Sequence, residues 1–453
     1  MTAKKLLSLL LLICVGAGPA SLAQQPASSP DDGAPLLRLD DALSIAFENN
    51  RLVRNSSLEA QKFDFRVSTS RSRRLPQFQV DVLSGGLLQP FDFTIPAGSL
   101  GNFATTGPIP AADAKITTHA QFTTFATGSI DQPLSQQFKI HYGIRVAELG
   151  REIALEQVRG QRQKIAAQVR AAYYNLVSAQ AAVQATREEV KTLEEAQRVT
   201  ARYRLQEAVL RADVLDVDAR LAKSRYQLSV TENGLSTERE HLNELLGRDL
   251  ATPFRVEAMP EDDSSDLTLE AARHNAAENR PEIREARLKE TQAQYDRRIA
   301  KAEYIPDISL SVRYMGFNNF QVLPGNVATA GVYFSWEPFD WGRRHNNVAE
   351  KSKTVEQARL GAKEAQAQVA LEVGTKYRKW QESVLLLKAA RTAHEAAAEQ
   401  FRVTSNRYKE QATLVKDVLQ AQARSAEAGS QYQQALSTYW SSLADLRRAM
   451  GEE

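Results

Sequence analysis

Thiol chemistry is almost absent from this chain, whose only cysteine is Cys14. That residue sits in an apolar run, 6–15, with Lys4 and Lys5 before it and Ser21-Leu22-Ala23 after it. The pattern is that of a secretory signal, and the run is too short to span a bilayer. Residues 1–23 are therefore expected to be removed on export. Bulky Ile13, and the place of Cys14 inside the apolar run, argue against lipid attachment. The mature chain is then expected to hold no disulfide and no thiolate metal site. Long apolar stretches are missing as well. Beyond the signal no segment approaches ~18 apolar residues, which excludes a transmembrane helix but leaves a β-barrel open. Charge of one sign is also lacking. The formal net charge of +2 disappears with Lys4 and Lys5, so a nucleic-acid partner is not expected. No Gly-rich phosphate loop, Gly-x-Ser-x-Gly elbow or His-Glu-x-x-His motif occurs. The reading is of a non-enzyme without a cofactor.

Proline is absent between Leu134 and Thr252 and again after Pro338. Those two stretches are rich in Ala, Gln, Glu, Arg and Leu, the strong helix formers. They carry seven-residue apolar stripes, Val169, Leu176, Val183 and Val190, then Val214, Leu221, Leu228, Leu235 and Leu242. Such a period predicts helices packed as in coiled coils. Each stretch is interrupted once, around 203–212 and 408–416, and so reads as a long helix, a turn and a shorter returning helix. A helix from about Gln136 to Tyr203 would extend roughly 100 Å at 1.5 Å per residue.

What is present is a duplication. Leu37-Arg38-Leu39-Asp40-Asp41-Ala42 returns as Leu267-Thr268-Leu269-Glu270-Ala271-Ala272, and Leu75-Pro76 as Ile305-Pro306, always 230 positions on. A repeat of this length is one large module written twice rather than a solenoid. The expected division is a first repeat over 37–248, a linker over 249–266 and a second repeat over 267–453, with 24–36 as an N-terminal extension. Between the helices the period falls to two. Ile308, Leu310, Val312 and Tyr314 alternate with polar residues, as do Val332, Phe334 and Trp336. Phe78, Val80 and Val82 open the matching strand of the first repeat. Each repeat is thus expected to hold one β-hairpin, about 77–132 and 307–337. The first has the longer connection, and its extra residues near 90–114 read as an exposed loop. Pro76 and Pro306 are read as ending a helix and starting a strand. Pro133 and Pro338 are read as ending a strand and opening a long helix, where the missing N–H is harmless.

Four strands with an outward apolar face cannot close on themselves, since the smallest membrane barrels need about eight. Open edges are not tolerated in lipid. The chain is therefore expected to pool strands with copies of itself, and three copies give about twelve strands with a lumen. The fold class expected is mainly α with a small β part, built as a helix–hairpin–long-helix repeat.

At this point the residues resemble the TolC-like outer-membrane efflux proteins, over nearly the whole mature chain. The resemblance rests on three marks present in both halves. The first is the Leu-x-Leu-x-x-Ala start, Leu37-x-Leu39 with Ala42 and Leu267-x-Leu269 with Ala272. The second is the turn into the long helix, Gln132-Pro133-Leu134 and Glu337-Pro338-Phe339. The third is the run Arg202-Tyr203…Asp213-Val214-Leu215 and Arg407-Tyr408…Asp417-Val418-Leu419. The resemblance implies a homotrimer with a twelve-stranded barrel in outer-membrane lipid and an α-helical tunnel across the periplasm. It also implies a periplasmic membrane-fusion adaptor and an inner-membrane transporter as partners, docked on the helical tips. The function implied is the passive exit duct of a tripartite efflux or type I secretion system. The tip candidates are Arg202, Tyr203, Gln206, Arg407, Tyr408 and Gln411. Gln206 and Gln411 stand where the family usually has Gly, which departs from its tip geometry.

Asp213, Asp216 and Asp417 sit just past the turns. They read either as carboxylates favoured at helix N-termini or, repeated three-fold, as a ring that charges the entrance and favours cations. Gln420 stands where the family has a second Asp. Tyr314, Phe317, Phe334, Trp336, Phe339 and Trp341 cluster near hairpin ends, and an aromatic girdle is preferred over core packing because polar residues alternate with them. Glu238 and His241 have the Glu-x-x-His spacing of bundle metal sites. No other histidine completes a site, so this is read as a solvated helix face. The chief rival class is a periplasmic adaptor, which should have one helical hairpin and many short strands. A surface coiled-coil adhesin would not need alternating strands, and an enzyme on a helical bundle has no catalytic constellation here.

Overall fold

The computed structural model describes residues 35–86, 92–117, 122–205, 210–258, 267–318, 325–410 and 412–452. The expected signal segment, Gln206 and Gln411 lie outside the described residues. In chain order the elements are β1 (Leu36–Leu37), α1 (Leu39–Asn49), α2 (Arg51–Ser72), β2 (Gln77–Gly86), β3 (Asp92–Ile95), β4 (Asn102–Phe103), β5 (Gly107–Pro108), β6 (Ala114–Thr117), β7 (Phe122–Pro133), α3 (Gln137–Leu205) and α4 (Arg211–Leu245). There follow β8 (Arg255–Val256), α5 (Leu269–Asn279), α6 (Pro281–Ala302), β9 (Asp307–Asn318), β10 (Asn326–Ser335), α7 (Arg343–Lys409) and α8 (Val415–Met450). α1, α2 and the start of β2 recur at α5, α6 and β9 with the same spacing of 230.

Local chemistry explains the boundaries. The Asn50 side chain accepts from the N–H groups of Leu52 and Val53 at 2.9 and 3.3 Å, opening α2, a cap worth about 1 kcal/mol. Pro281 occupies the first turn of α6, where its fixed φ suits the helix. Pro76 and Pro306 each stand directly before a strand. Pro133 is the last residue of β7, whereas Pro338 falls in the link between β10 and α7.

α3 is 69 residues long, roughly 100 Å. Near the strands it lies between α2 and α6, and toward the distant turns between α4 and α8. Arg151 reaches Asp64 of α2 at 2.6 Å, and Gln157 reaches Glu285 of α6 at 2.9 Å. Farther along, Arg225 of α4 bonds Glu194 at 2.8 Å, and Ser437 of α8 bonds Asn175 at 3.1 Å. α7 packs against α6 and then α8. The molecule is therefore a curved palisade four helices wide at either level, with α2 or α4 at one margin and α7 at the other.

The seven-residue stripes form its seams. Val169, Leu176, Val183 and Val190 are buried, as are Leu221, Leu235 and Leu242. The main core is a belt where α1, α5 and the ends of α4 and α8 meet the middle of α3 and α7, with Ile165, Leu246, Val373, Leu443 and Met450 at its centre. Each such side chain contributes about 1.5–3 kcal/mol. A smaller cluster of Val190, Leu193, Val217, Leu221 and Leu419 lies nearer the turns.

The two hairpins merge into one antiparallel sheet ordered β10-β9-β7-β2. The stretch near 90–114, expected to be a loop, instead holds two small antiparallel pairs, β3 with β6 and β4 with β5. Phe93 facing Ile116 and Phe103 facing Gly107 give that extension its own cross-strand packing. The second correction concerns the prolines. Phe78 faces Ile130, and Ile308 faces Phe334, so from β7 onward the repeats correspond at a spacing of 204. Pro133 thus corresponds to Glu337, and Pro338 falls one residue later.

Candidate functional site

Cross-strand register sorts the sheet into two chemistries, because residues directly opposite each other share a face. On one face stand Phe78, Val80 and Val82 of β2, Ile130 of β7, Ile308, Leu310 and Val312 of β9, and Val332 and Phe334 of β10. The other carries Gln77, Gln79, Asp81, Ser129, Asp131, Ser309, Ser311, Arg313 and Thr329. The apolar face is uncovered in the single chain: Phe78 is 74 %, Val80 76 % and Val332 66 % exposed. An apolar sheet face of this extent has no aqueous rationale and marks a surface that meets another apolar phase. No described helix is long and apolar enough to cross a membrane.

The aromatic candidates fall at two levels rather than one. Tyr314 lies toward the hairpin connections, where its hydroxyl bonds Asn326 Oδ1 at 2.7 Å. Phe334, Trp336, Phe339 and Trp341 gather at the helix end and are exposed, and Phe339 meets Trp341 edge-on at 4.7 Å between centroids. The backbone of Phe317 faces Phe125, while its side chain lies outside what is described. Just past the aromatics, Arg343 and Arg344 both bond Glu337, at 2.5 and 3.0 Å.

At the opposite end the last turns of α3 and α7 come together, with Tyr203 beside Tyr408. Arg202 and Arg407 are exposed, and Tyr203 is partly so. The Tyr408 phenol is pushed up, first by burial and then by neighbouring Tyr203, so it is a neutral hydrogen-bonding group at physiological pH. Each of the three carboxylates here has a local partner. Asp213 accepts from the Leu210 N–H at 3.2 Å. Asp417 accepts from the Leu414 N–H at 3.3 Å and the Thr413 hydroxyl at 2.8 Å. Both therefore cap their helices. Asp216 pairs with Arg220 at 3.0 Å, and Gln420 is exposed. Above the tip, α3 recedes behind α4 and α8 in a groove floored by small residues such as Ser178, Ala182 and Ala185, with Gly234 and Ser430 on its walls. Glu238 lines this groove, and among the described residues no group of His, Cys, Asp and Glu could hold a metal ion.

Two joints hold the palisade together, and their spacing alone could have revealed them. Gly247 and Gly451 have φ of 69° and 88°, the left-handed region that favours glycine. They end α4 and α8 against the backbones of Asn49 and Asn279. The Asn50 side chain donates to the Leu245 carbonyl at 2.8 Å. At the equivalent place Arg280 bonds Glu372 at 2.7 Å, Glu282 at 2.9 Å and the Arg448 carbonyl at 3.2 Å.

The fold and the two-faced sheet define a class: a channel wall whose strand end sits in a membrane and whose helical end extends far beyond it. Residues 272–452 match the family model described as outer membrane efflux protein. That match spans nearly the whole second repeat, which therefore carries an outer membrane efflux protein domain. Among solved structures it is similar to the CmeC outer membrane channel of Campylobacter jejuni, with TM-score 0.70, 16% identity and coverage of 91% of this chain and 85% of that one. It is similar to the open-state MtrE outer membrane channel of Neisseria gonorrhoeae, with TM-score 0.70, 18% identity and coverage of 92% and 89%. A third likeness is to the outer membrane protein VceC of Vibrio cholerae, with TM-score 0.71, 14% identity and coverage of 91% and 96%. At these identities the three show the shared fold. No curated protein matches by sequence.

Proposed function

We propose that this chain is a homotrimeric exit duct, delivering cargo passively from an energised inner-membrane transporter and its periplasmic adaptor to the outside. Tripartite efflux or type I secretion would use it alike. The observation that carries this reading is the uncovered apolar sheet face joined to helices roughly 100 Å long. Four strands cannot close a membrane barrel, and open strand edges are not tolerated in lipid. Pooling three sheets closes the wall, turns the apolar face to lipid and puts Ser309, Ser311 and Arg313 on the lumen. The helices, pooled likewise, surround a water-filled tunnel. A rival adaptor reading would leave the apolar face without a partner phase.

At the tip, Arg202, Tyr203, Arg407 and Tyr408, with Gln206 and Gln411, are offered to the adaptor. Asp213, Asp216 and Asp417, with Gln420, surround the entrance. Three-fold repetition of carboxylates in a narrow mouth favours cations. Purified protein in a planar bilayer should conduct and prefer cations, and Asp417→Ala should weaken that preference. A protein recovered in the inner membrane, with no heat-labile oligomer and no conductance, would sink the proposal. An unchanged preference in Asp417→Ala would remove only the ring.

A further inference from the structure

The sheet leaves two strands with one free edge each, β2 and β10. In lipid such edges must pair. Which residue meets which can be read from the duplication, because the chain already contains the equivalent contact. β7 of the first repeat pairs with β9 of the second, placing Ile130 opposite Val312 and Ser129 opposite Arg313. β10 is the counterpart of β7 at a spacing of 204, and β2 is the counterpart of β9 at a spacing of 230.

We propose that β10 of one chain pairs antiparallel with β2 of the next in the register that β7 and β9 use. This rests on the self-association put forward above. Phe334 then faces Val82 of the partner subunit, and Tyr333 faces Leu83 of the partner subunit. Trp336 and Val332 face Val80 and Ser84 of the partner subunit.

Two independent features of the sheet agree with this register. The first is parity. Phe334, Val332, Val80 and Val82 all belong to the apolar face within their own chain. The inferred register joins apolar face to apolar face, whereas a slip of one residue would set Phe334 among polar groups and break the lipid surface at every subunit boundary. Taking the two conspicuous prolines as equivalent gives that one-residue slip. The second feature is a pair of large exposed side chains. Leu83 and Tyr333 lie on the face that carries Gln79, Asp81 and Thr329, together with Val327 of β10 and Phe125 of β7, and are 69 % and 59 % exposed. The register puts them opposite one another, where each shields the other from lumen water. Gly85 and Gly331 likewise meet.

The test is cysteine cross-linking in a Cys14→Ala background, with the full chain in outer membranes. Opposed pairs in an antiparallel ladder alternate between close and wide kinds, so two neighbouring double variants are made, Phe334→Cys with Val82→Cys and Tyr333→Cys with Leu83→Cys. The within-chain pairs Ile130→Cys with Val312→Cys and Ser129→Cys with Arg313→Cys calibrate which kind bridges. The shifted control is Phe334→Cys with Ser84→Cys. After mild oxidation, the inter-chain pair whose internal counterpart bridges should give covalent dimers and trimers on non-reducing gels, at least ten-fold more than the shifted control. Stronger bridging at the shifted pair overturns the register, as does an intact oligomer that bridges at neither pair. If the native oligomer itself is absent from the unmodified protein, it is the self-association that fails.

Discussion

The two joints at which the returning helices meet the short N-terminal helices occupy equivalent places and are built from different chemistry. In the first, Asn50 uses neutral hydrogen bonds, two as a helix cap and one to the Leu245 carbonyl. In the second, Arg280 is 4 % exposed and spans Glu282 and Glu372, and Glu372 also holds Arg448. What the joints share is the glycine. The backbone path is therefore held in both repeats while the side chains that fasten it have diverged, which is how a duplicated wall can keep its curvature and change its sensitivity.

The shared part is the place to break the comparison most severely. A Cβ at Gly247 would lie 2.4 Å from the Asn49 carbonyl oxygen, and one at Gly451 would lie 2.8 Å from the Asn279 carbonyl carbon. Both residues also have positive φ. Gly247→Ala should cost about 3–5 kcal/mol and Gly451→Ala about 2–3 kcal/mol. Thermal unfolding in detergent measures both. A milder effect at Gly247 than at Gly451 would show that the first joint yields where the geometry says it cannot.

Removing the fasteners comes next. Glu372→Ala leaves buried Arg280 with only Glu282 and a carbonyl, and should cost about 2–4 kcal/mol. Asn50→Ala loses three modest hydrogen bonds, about 1–2 kcal/mol. Because only the Arg280 joint is ionic, raising salt should modestly shrink the Glu372→Ala effect and leave the Asn50→Ala effect unchanged. Equal salt responses would contradict the assignment of chemistry to the joints.

A subtler contrast involves the tyrosines beside the joints. Tyr173 donates to the Leu37 carbonyl at 3.1 Å and accepts from the Glu257 N–H at 3.1 Å. Tyr377 makes the equivalent bond to the Leu267 carbonyl at 3.0 Å. Tyr173→Phe should cost about 1–2 kcal/mol and Tyr377→Phe about 0.5–1 kcal/mol. Burial raises the Tyr173 phenol above its ordinary value. The unfolded chain then loses that proton before the folded one does, so stability falls as pH rises beyond about 10. Tyr173→Phe should flatten that alkaline decline in a melting series, and an unaltered slope would remove the phenol as its source.

The long helices were legible because a seven-residue stripe such as Val169, Leu176, Val183 and Val190 repeats one physical demand many times. The strands were legible because one face of each is apolar. What the chain concealed depends on single contacts between distant segments. Nothing near Arg280 announces Glu372, which arrives from 92 positions away. The merging of the hairpins through β7 and β9 is set by backbone bonds, which any residue but proline can make. The proline motif misled by one position, since Pro133 can end a strand whose last residues still pair, while Pro338 stands after the strand has ended. At the tip the carboxylates were visible, but their hydrogen bonds to Leu210 and Leu414 were not.

The smallest expected effect tests the tip, where one of the differences between the repeats is a carboxylate. Asp216 pairs with Arg220, four residues on. Its counterpart is Gln420, and Arg424 stands where Arg220 does. Both members of the first pair are well exposed, so the bond adds under about 0.5 kcal/mol, and Asp216→Gln should barely move the melting temperature. Its consequence lies in the field at the mouth. The substitution leaves Arg220 without its carboxylate partner and should lower cation preference by less than two-fold, read as a reversal potential across a salt gradient. Gln420→Asp supplies a carboxylate beside Arg424 and should raise the preference by a similar amount. If both variants shift the potential in the same direction, the two turns do not contribute equivalently to one entrance.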